Sequence, residues 1–294
     1  MIVALALTAS LTVTPTSRAM QPGEPVLLTV TSDRPLSAVH ATAFGQTTPG
    51  YEMSVADKRE WRVLIGIDLD VKPGAYEVKV TAASADGPLE TAIQLNVRPK
   101  TFPTRRLSVD EAFVNPPASA RPRIDAEAKE TAAIFDQAGA SRLWDTFVRP
   151  VPQPANSAFG TRSVFNGQPR NAHSGADFLS PAGTPVKAAA SGRVVLAKSL
   201  YYSGNTVIID HGLGVFSLFA HLSRIDVRVG DDVAGGRVVG LVGATGRVTG
   251  AHLHWTVRVA GARVDPLAVL TLLGPRAPRP VRAPRPSPRR QWRW

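Results

Sequence analysis

The sequence predicts a mostly β protein: an N-terminal immunoglobulin-like β-sandwich, a short helical linker, a C-terminal antiparallel β-domain and a disordered basic tail. Three observations favour this class. The chain has 25 prolines and 24 glycines, and the apolar runs between them are short, as in strands separated by turns. Its 294 residues exceed one domain of about 150 residues. A single stretch has the composition of a good helix.

The first 19 residues are predicted to be a signal peptide. Residues 2–11 are apolar but fall well short of the roughly 20 residues that span a bilayer. Small residues follow at Ser17 and Ala19, where cleavage is expected, although no Lys or Arg precedes the apolar run. The sequence therefore favours export to the periplasm or cell envelope, and the alternative is an ordinary first strand.

Residues 20–98 are predicted to form the sandwich. Short runs of alternating apolar residues recur about every ten positions, with Pro-Gly and Gly-Pro turns between them. His40 lies within one of these runs and is interpreted as structural. The predicted strands cover residues 26–30, 38–44, 61–67, 76–80 and 91–97.

Residues 99–150 are interpreted as a linker. Within it, residues 124–139 have the Ala, Glu and Lys content of a helix, with Gly139 as its stop. Ile124, Ala128, Thr131 and Phe135 share one face at helical spacing. The helix is expected to connect the two domains, and the alternative is an inhibitory arm over an active site.

The final segments differ sharply in composition. Residues 151–273 contain short strands separated by glycines, which predicts a compact antiparallel β-domain. Residues 274–294 alternate Pro with Arg. They carry seven arginines and no acidic residue, so the tail supplies most of the net charge of +11. Such a tail cannot bury enough apolar surface to order itself. It is expected either to bind an anionic cell-wall polymer or membrane surface, or to act as a solubilising extension.

Histidines and one aspartate form the chemical signal of the C-terminal domain. The chain has no cysteine, so a metal site would depend on His, Asp and Glu. His252 and His254 alternate on a predicted strand and should share a face. His173 and Asp177 flank Gly175, and His221 lies in a third strand-like stretch. A zinc centre with two histidines and one carboxylate would leave an open position for water.

The order of these motifs resembles the lysostaphin or LytM type of zinc metallopeptidase, whose members cut peptide bonds in bacterial peptidoglycan. The resemblance covers roughly residues 155–270. It includes the motifs Phe159-Gly-Thr-Arg162, His173-x3-Asp177, Val207-Ile-Ile-Asp-His-Gly212, Phe219-Ala-His-Leu-Ser223 and Gly243-Ala-Thr-Gly-Arg-Val-Thr-Gly-Ala-His-Leu-His254.

The resemblance implies a role for each of five residues. His173, Asp177 and His254 would be the ligands of one Zn2+ per chain. His221 and His252 would be the remaining catalytic histidines, one of them accepting a proton from water and returning one to the departing amine. Which of the two is the general base is left open. Peptidoglycan peptides are the expected partner, and no specific nucleic acid is expected.

The sequence differs from the family pattern at two places, and these differences are expected to affect substrate preference and rate. Phe219 stands where relatives usually have Tyr, and Trp255-Thr256 stands where they often have an acidic residue. Trp255 is interpreted as core packing. His211 is expected to stabilise a turn or support the site. Arg162 is either a surface ion-pair partner or a groove residue.

Two other classes of function are weighed against this interpretation. A non-catalytic relative that binds peptidoglycan or activates another hydrolase would typically lack some of the five residues, all of which are present. A nucleic-acid-binding protein is disfavoured because the excess arginines lie in the tail and no motif with interleaved aromatic residues occurs elsewhere.

Overall fold

A computed structural model describes residues 10–55, 58–108, 111–137, 139–155 and 159–275. Within these ranges the protein is mostly β, which confirms the predicted class. The helices are α1 (Glu111–Val114), α2 (Arg121–Phe135) and α3 (Pro266–Leu273), with a 3₁₀ turn at Ala118–Ala120. The strands are β1 (Leu11–Thr16), β2 (Pro25–Ser32), β3 (Leu36–Ala43), β4 (Gln46–Pro49), β5 (Tyr51–Val55), β6 (Lys58–Gly66), β7 (Gly74–Ser84), β8 (Gly87–Val97), β9 (Thr104–Leu107), β10 (Arg162–Phe165), β11 (Gln168–Pro169), β12 (Gly175–Phe178), β13 (Pro185–Lys187), β14 (Gly192–Leu200), β15 (Gly204–Asp210), β16 (Val215–Ile225), β17 (Asp232–Val233), β18 (Val238–Val242), β19 (Leu253–Val259) and β20 (Ala262–Val264).

Two four-stranded antiparallel sheets form the N-terminal sandwich. Their orders are β1-β2-β6-β5 and β4-β3-β7-β8. Alternate residues of both sheets enclose one apolar core, which includes Leu28, Val63 and Val80. All five strands predicted for this region are present. The chain passes from one sheet to the other at Gly50, between β4 and β5, where the sequence predicts a turn.

The sandwich begins earlier than the predicted boundary at residue 20. Strand β1 pairs in register with β2, from Leu11 opposite Ser32 to Thr16 opposite Leu27. Arg18 then binds the buried carboxylate of Glu24. Residues 11–18 are therefore part of the described fold, as in the alternative of an ordinary first strand, and removal of residues 1–19 as a signal peptide stays a prediction. Residues 1–9 lie outside the described ranges, and export stays a prediction.

In the sheet β1-β2-β6-β5, strands β2 and β6 have buried side chains on both faces. Leu27 and Leu64 point away from the sandwich core and belong to the apolar core of the C-terminal domain. Across the same junction, Arg263 binds Asp68, and Arg18 binds Asp265 at 2.7 Å. The uninterrupted burial of residues 25–28 in β2 follows from this docking, since an isolated sandwich would bury only alternate residues.

The linker is more ordered than a simple connection. Strand β9 pairs in parallel with β10 of the C-terminal domain. Helix α2 begins three residues before the predicted start and ends at Phe135, before Gly139. Phe135 packs edge-on against Phe216, with ring centroids 5.6 Å apart. Trp144 and Phe147 are buried in the C-terminal core, so that domain starts before the predicted residue 151.

A nine-stranded antiparallel sheet forms the C-terminal domain. Its main order is β12-β19-β16-β15-β14-β17, with β18 beside β16, β13 beside β18 and β20 beside β19. Helix α3 begins after the cap residue Asp265 and ends at Leu273. This helix was not predicted from the sequence. In the described ranges, no helix combines the length and the apolar character needed to cross a bilayer. Residues 276–294, to which the tail predictions apply, lie outside the described ranges.

Candidate metal centre

Three neighbouring strands bring the predicted site residues together. Asp177 of β12 lies directly opposite His254 of β19. On the other side of β19, His254 lies opposite Ala220 of β16, the residue before His221. His252 lies just before β19 and forms a bridge with Gly243. Residues far apart in sequence thus meet at one edge of the sheet.

Gly175 permits the close approach of β12 to β19. A Cβ atom at this position would lie 2.5 Å from the carbonyl oxygen of Trp255 and 2.7 Å from Cε1 of His254. Both distances are too short for a carbon contact. The glycine of the His173-x3-Asp177 motif is therefore needed for space beside the ring of His254.

The side chains of His173, Asp177 and His254 converge on one point. Nε2 of His173 is 3.0 Å from Oδ1 of Asp177 and 2.9 Å from Nδ1 of His254. Nδ1 of His254 is 2.9 Å from the same carboxylate oxygen. The three side chains are each about 15% exposed, so the cluster is accessible to solvent and to a ligand.

This donor set fits a zinc ion. Tetrahedral zinc with bonds of about 2.0–2.1 Å places its ligand atoms about 3.3 Å apart, close to the separations seen here. Nε2 of His254 lies 2.9 Å from Oγ1 of Thr256. When this nitrogen donates its proton to the hydroxyl, the lone pair of Nδ1 is directed toward the cluster. The three residues could therefore hold the metal through two imidazoles and one carboxylate.

The surroundings of Asp177 and His254 favour the forms in which these two residues bind a metal ion. Burial raises the pKa of Asp177, but hydrogen bonds from His173 and His254 outweigh burial and hold the pKa well below its ordinary value. Burial lowers the pKa of His254. An ionised carboxylate and a neutral imidazole are the forms in which Asp and His coordinate a cation.

His221 and His252 lie beside the cluster with matching orientations. Each ring places Nδ1 2.9 Å from a backbone carbonyl oxygen, that of Thr245 for His221 and that of Gly250 for His252. A carbonyl oxygen only accepts, so each Nδ1 carries the proton and each Nε2 is left as an acceptor. The two ring centroids are 4.9 Å apart. Burial lowers the pKa of His221 to about 4, which keeps its ring neutral near pH 7.

The backbone at His221 is unusual. Its φ of 64° is in the left-handed region, which residues other than glycine seldom adopt. The pairing of β15 with β16 shifts register at this point, so that Val207 lies opposite Phe219 while Asn205 lies opposite Leu222. This bulge turns the side chain of His221 toward the cluster, a role for bulges next to active sites.

A cavity of about 520 Å³ opens over the cluster. All five predicted residues line it, together with groups that were not predicted. Among these are Arg105, Arg170, Tyr202 and Arg247. Arg170 lies just before the His173-x3-Asp177 motif, and Arg247 lies within the motif that ends at His254. Their positions in the sequence therefore gave a weak indication that they belong to the site. Arg105 belongs to the linker, and its sequence context gave no such signal.

The three residues singled out with weaker reasons do not line this cavity. Arg162 is exposed and lies on the opposite face of β10 from Ser163, which does line it. His211 is fully buried and lies 2.8 Å from both the carbonyl oxygen of Ser191 and Oγ of Ser217. Phe219 is also buried, and its ring is parallel to that of Trp255 at a centroid distance of 6.5 Å.

Comparison with known proteins identifies the family. Residues 171–266 match the model of Peptidase family M23. The crystal structure of an M23 peptidase from Pseudomonas aeruginosa is 32% identical, covers 85% of this chain and 94% of that chain, and superposes with a TM-score of 0.64. The chain belongs to peptidase family M23. The resemblance inferred from the motifs is thereby confirmed, and the M23 match contains the five clustered residues.

Curated M23 relatives match over a shorter region. The DD-carboxypeptidase/endopeptidase Mpg of Neisseria meningitidis is 45% identical over 97 residues, 33% of this chain and 22% of that protein. The peptidoglycan DD-endopeptidase ShyA of Vibrio cholerae is 45% identical over 93 residues, 32% of this chain and 22% of that protein. The match thus covers about a fifth of each of these relatives.

Proposed function

We propose that this protein is a zinc-dependent endopeptidase that hydrolyses peptide bonds in bacterial peptidoglycan. The observation that carries the proposal is the convergence of two imidazole nitrogens and one carboxylate oxygen within about 3 Å of each other, beside two further histidines in an open cavity. The substrate class is drawn from M23 relatives that are named as peptidoglycan DD-endopeptidases.

Zinc bound by His173, Asp177 and His254 would supply Lewis-acid activation of water and of the peptide carbonyl. His221 and His252 have the orientation that proton transfer needs, because each presents Nε2 as an acceptor toward the cavity. One of them accepts a proton from the attacking water, and a proton returns to the departing amine. Before it returns this proton, the ring that has accepted it donates to the oxygen on which negative charge develops. No covalent enzyme intermediate is required.

Digestion of defined peptidoglycan by the purified full chain tests this proposal. Zinc content is measured on the same sample, and the released fragments are identified by mass spectrometry, which also shows which bond is cut. We expect new amino termini within the cross-linked peptides and loss of cleavage after chelation, restored by zinc. Stoichiometric zinc without cleavage would favour instead the non-catalytic relative that binds peptidoglycan or activates another hydrolase.

We also propose that the protein acts in the cell envelope, after export, because its proposed substrate lies there. The basic tail from Pro275 onward would bind an anionic cell-wall polymer or membrane surface through its arginines. Cell fractionation tests the location. N-terminal sequencing distinguishes a mature start near Ala19 from one that retains β1. Deletion of residues 275–294 should reduce polymer binding and leave hydrolysis of soluble peptides intact.

A further inference from the structure

The cavity over the metal-ligand cluster is lined by more than the histidines and Asp177. Arg105, Arg170 and Arg247 line it as well. The steps of peptide hydrolysis proposed above do not use these arginines. Their presence together in one cavity therefore indicates a separate role.

Arg105 reaches the cavity because the linker is paired with the catalytic domain. In the parallel pairing of β9 with β10, Arg105 lies opposite Ser163, and its Nε donates to Oγ of Ser163 at 3.1 Å. The linker is fixed just before this point, where the ring of Phe102 lies over Gly160. A Cβ atom on Gly160 would overlap that ring, and its φ of 78° also favours glycine.

Arg170 approaches the same strand from the other side. Its backbone N–H donates to the carbonyl oxygen of Ser163 at 2.8 Å. Its guanidinium donates to the carbonyl oxygen of Val114, also in the linker, at 2.8 Å, and to Oε1 of Gln168 at 3.0 Å. In the part of the chain that the structure describes, its Nε is buried without a hydrogen-bond partner.

Arg247 completes the group from the glycine-rich turn before β19. Its guanidinium lies over the ring of Tyr202, 4.2 Å from the centroid, and 6.0 Å from the centroid of Phe165. Phe165 and Ser163 share a face of β10, and these two residues together contact all three arginines. Burial lowers the pKa of Arg247, Tyr202 partly offsets this, and the nearby charge of Arg170 lowers the pKa further.

Three arginines are among the described residues that line the cavity. Of the described residues that line it, Asp177 is the one carboxylate, and it belongs to the metal-ligand cluster. Guanidinium groups bind carboxylates through paired hydrogen bonds, and such bonds are stronger in a partly buried site. We propose that Arg105, Arg170 and Arg247 form a subsite that binds a carboxylate of the substrate peptide. This inference rests on the proposed function.

The carboxylate bound by this subsite could come from either of two positions in the substrate. A cross-linked peptide offers a terminal α-carboxylate and side-chain carboxylates, and either has the required chemistry.

The linker helps to form the subsite. It supplies Arg105 and the carbonyl oxygen that positions Arg170. The catalytic domain without its linker therefore has an incomplete subsite and should discriminate poorly between charged and neutral peptides.

Matched synthetic peptides test the subsite with the zinc-loaded full chain. Four forms of one cross-linked stem peptide are compared: all carboxylates present, the terminal carboxylate amidated, the side-chain carboxylates amidated, and both amidated. We expect one of the two single amidations to lower kcat/KM about 10- to 100-fold, mainly through KM. Which one does so identifies the carboxylate that is bound.

Variants connect this preference to the arginines. Arg105→Gln and Arg247→Gln should lower kcat/KM for the fully charged peptide by a similar factor and remove the effect of amidation. Both changes avoid Arg170, whose loss would also disturb the linker. Arg193→Gln is the matched control, since Arg193 is exposed and does not line the cavity. It should keep the preference of the unaltered protein.

The possible failures are distinguishable. Equal cleavage of all four peptides by the unaltered protein would refute the subsite and leave the proposed function standing. If no peptide were cleaved, the proposed function would fail, and calorimetric binding of the same four peptides would decide the subsite. Tighter binding of a charged form, lost in Arg247→Gln, would support the subsite; equal binding of all four would refute it.

Discussion

The two β-domains of this chain differ in what they bury. Among the described residues, the sandwich has only two buried polar or charged side chains, Glu24 and Thr48. The region from residue 159 onward buries many more: Thr161, Ser163, Ser180, Thr206, His211, Ser217, His221, Thr256 and Asp265. Buried polar groups destabilise a fold unless they are hydrogen-bonded. Several of those in the C-terminal domain are bonded to each other or to the histidines of the candidate centre.

The domains also differ in how their strands pair. In the sandwich, most pairs join strands that follow one another closely, such as β5 with β6 and β7 with β8. In the C-terminal domain, β12 pairs with β19, which places Asp177 opposite His254. The sandwich is thus built largely from local hairpins, whereas the candidate metal centre requires strands from distant parts of the sequence.

The largest difference between the two domains is expected when a proposed zinc ligand is replaced. Replacing His173, Asp177 or His254 with Ala should abolish stoichiometric zinc binding and lower peptidase activity by more than about 10⁴-fold, beyond the usual range for a general acid or base. Zinc is measured by elemental analysis and activity by peptide cleavage. His40→Ala, an exposed histidine of the sandwich, is the control and should change neither. Retained activity in a ligand variant would show that the cluster is not the catalytic centre.

The neighbouring histidines should separate metal binding from proton transfer. His221→Ala and His252→Ala each remove one Nε2 acceptor and should lower kcat about 10² to 10⁴-fold while zinc stays bound. Kinetics and zinc content are measured on the same preparations. If zinc were lost together with activity, these residues would have to be reassigned as ligands.

Core truncations should sharpen the comparison between the domains. Leu28→Ala in the sandwich and Leu253→Ala between the two histidines each remove a fully buried side chain and should cost about 2–5 kcal/mol of unfolding free energy. Denaturant titration measures this cost. Under conditions where both variants remain folded, we expect Leu28→Ala to keep its kcat and Leu253→Ala to lose activity, because the latter loosens His252 and His254. Equal losses of kcat would mean that the sandwich core also supports catalysis.

A smaller effect is expected at Thr256, whose hydroxyl contacts Nε2 of His254. Thr256→Val removes this contact at nearly constant volume and should weaken zinc affinity about 10- to 100-fold. Competition with a chelator of known affinity measures the change. Thr256→Ser keeps the hydroxyl and should stay close to the original affinity; an equal loss in both variants would implicate packing instead.

The last prediction concerns the pH dependence of stability and His211. Burial lowers the pKa of this residue to about 4, partly offset by its hydrogen bond to Ser191. The unfolded chain takes up a proton near the ordinary value of 6.5, so stability should fall as the pH drops from about 6.5 to 4. The contribution is at most about 1.4 kcal/mol per pH unit. His211→Gln should flatten this part of the stability profile relative to the original protein. An unchanged slope would exclude His211 as its source.

Much of the fold followed from local patterns in the sequence. Alternating apolar residues between Pro and Gly turns predicted the five strands of the sandwich and the antiparallel catalytic domain. Domain boundaries were less accurate. Residues 11–18 were assigned to a signal segment because they lie between an apolar run and an expected cleavage site, yet β1 pairs with β2 and Arg18 contacts Asp265, which is distant in sequence. Neither contact has a local signal.

The sequence by itself determined the residues available for chemistry. Without cysteine, the ordered His and Asp motifs were the natural candidates for metal ligands, and the order of these motifs was enough to indicate the family. The tertiary structure alone decided which other side chains share their cavity. Linker residue Arg105 joins Arg170 and Arg247 because β9 pairs with β10, while Arg162 faces away because side chains alternate along that strand. Pairing between distant strands is stabilised by the whole core, so no short stretch of sequence encodes it.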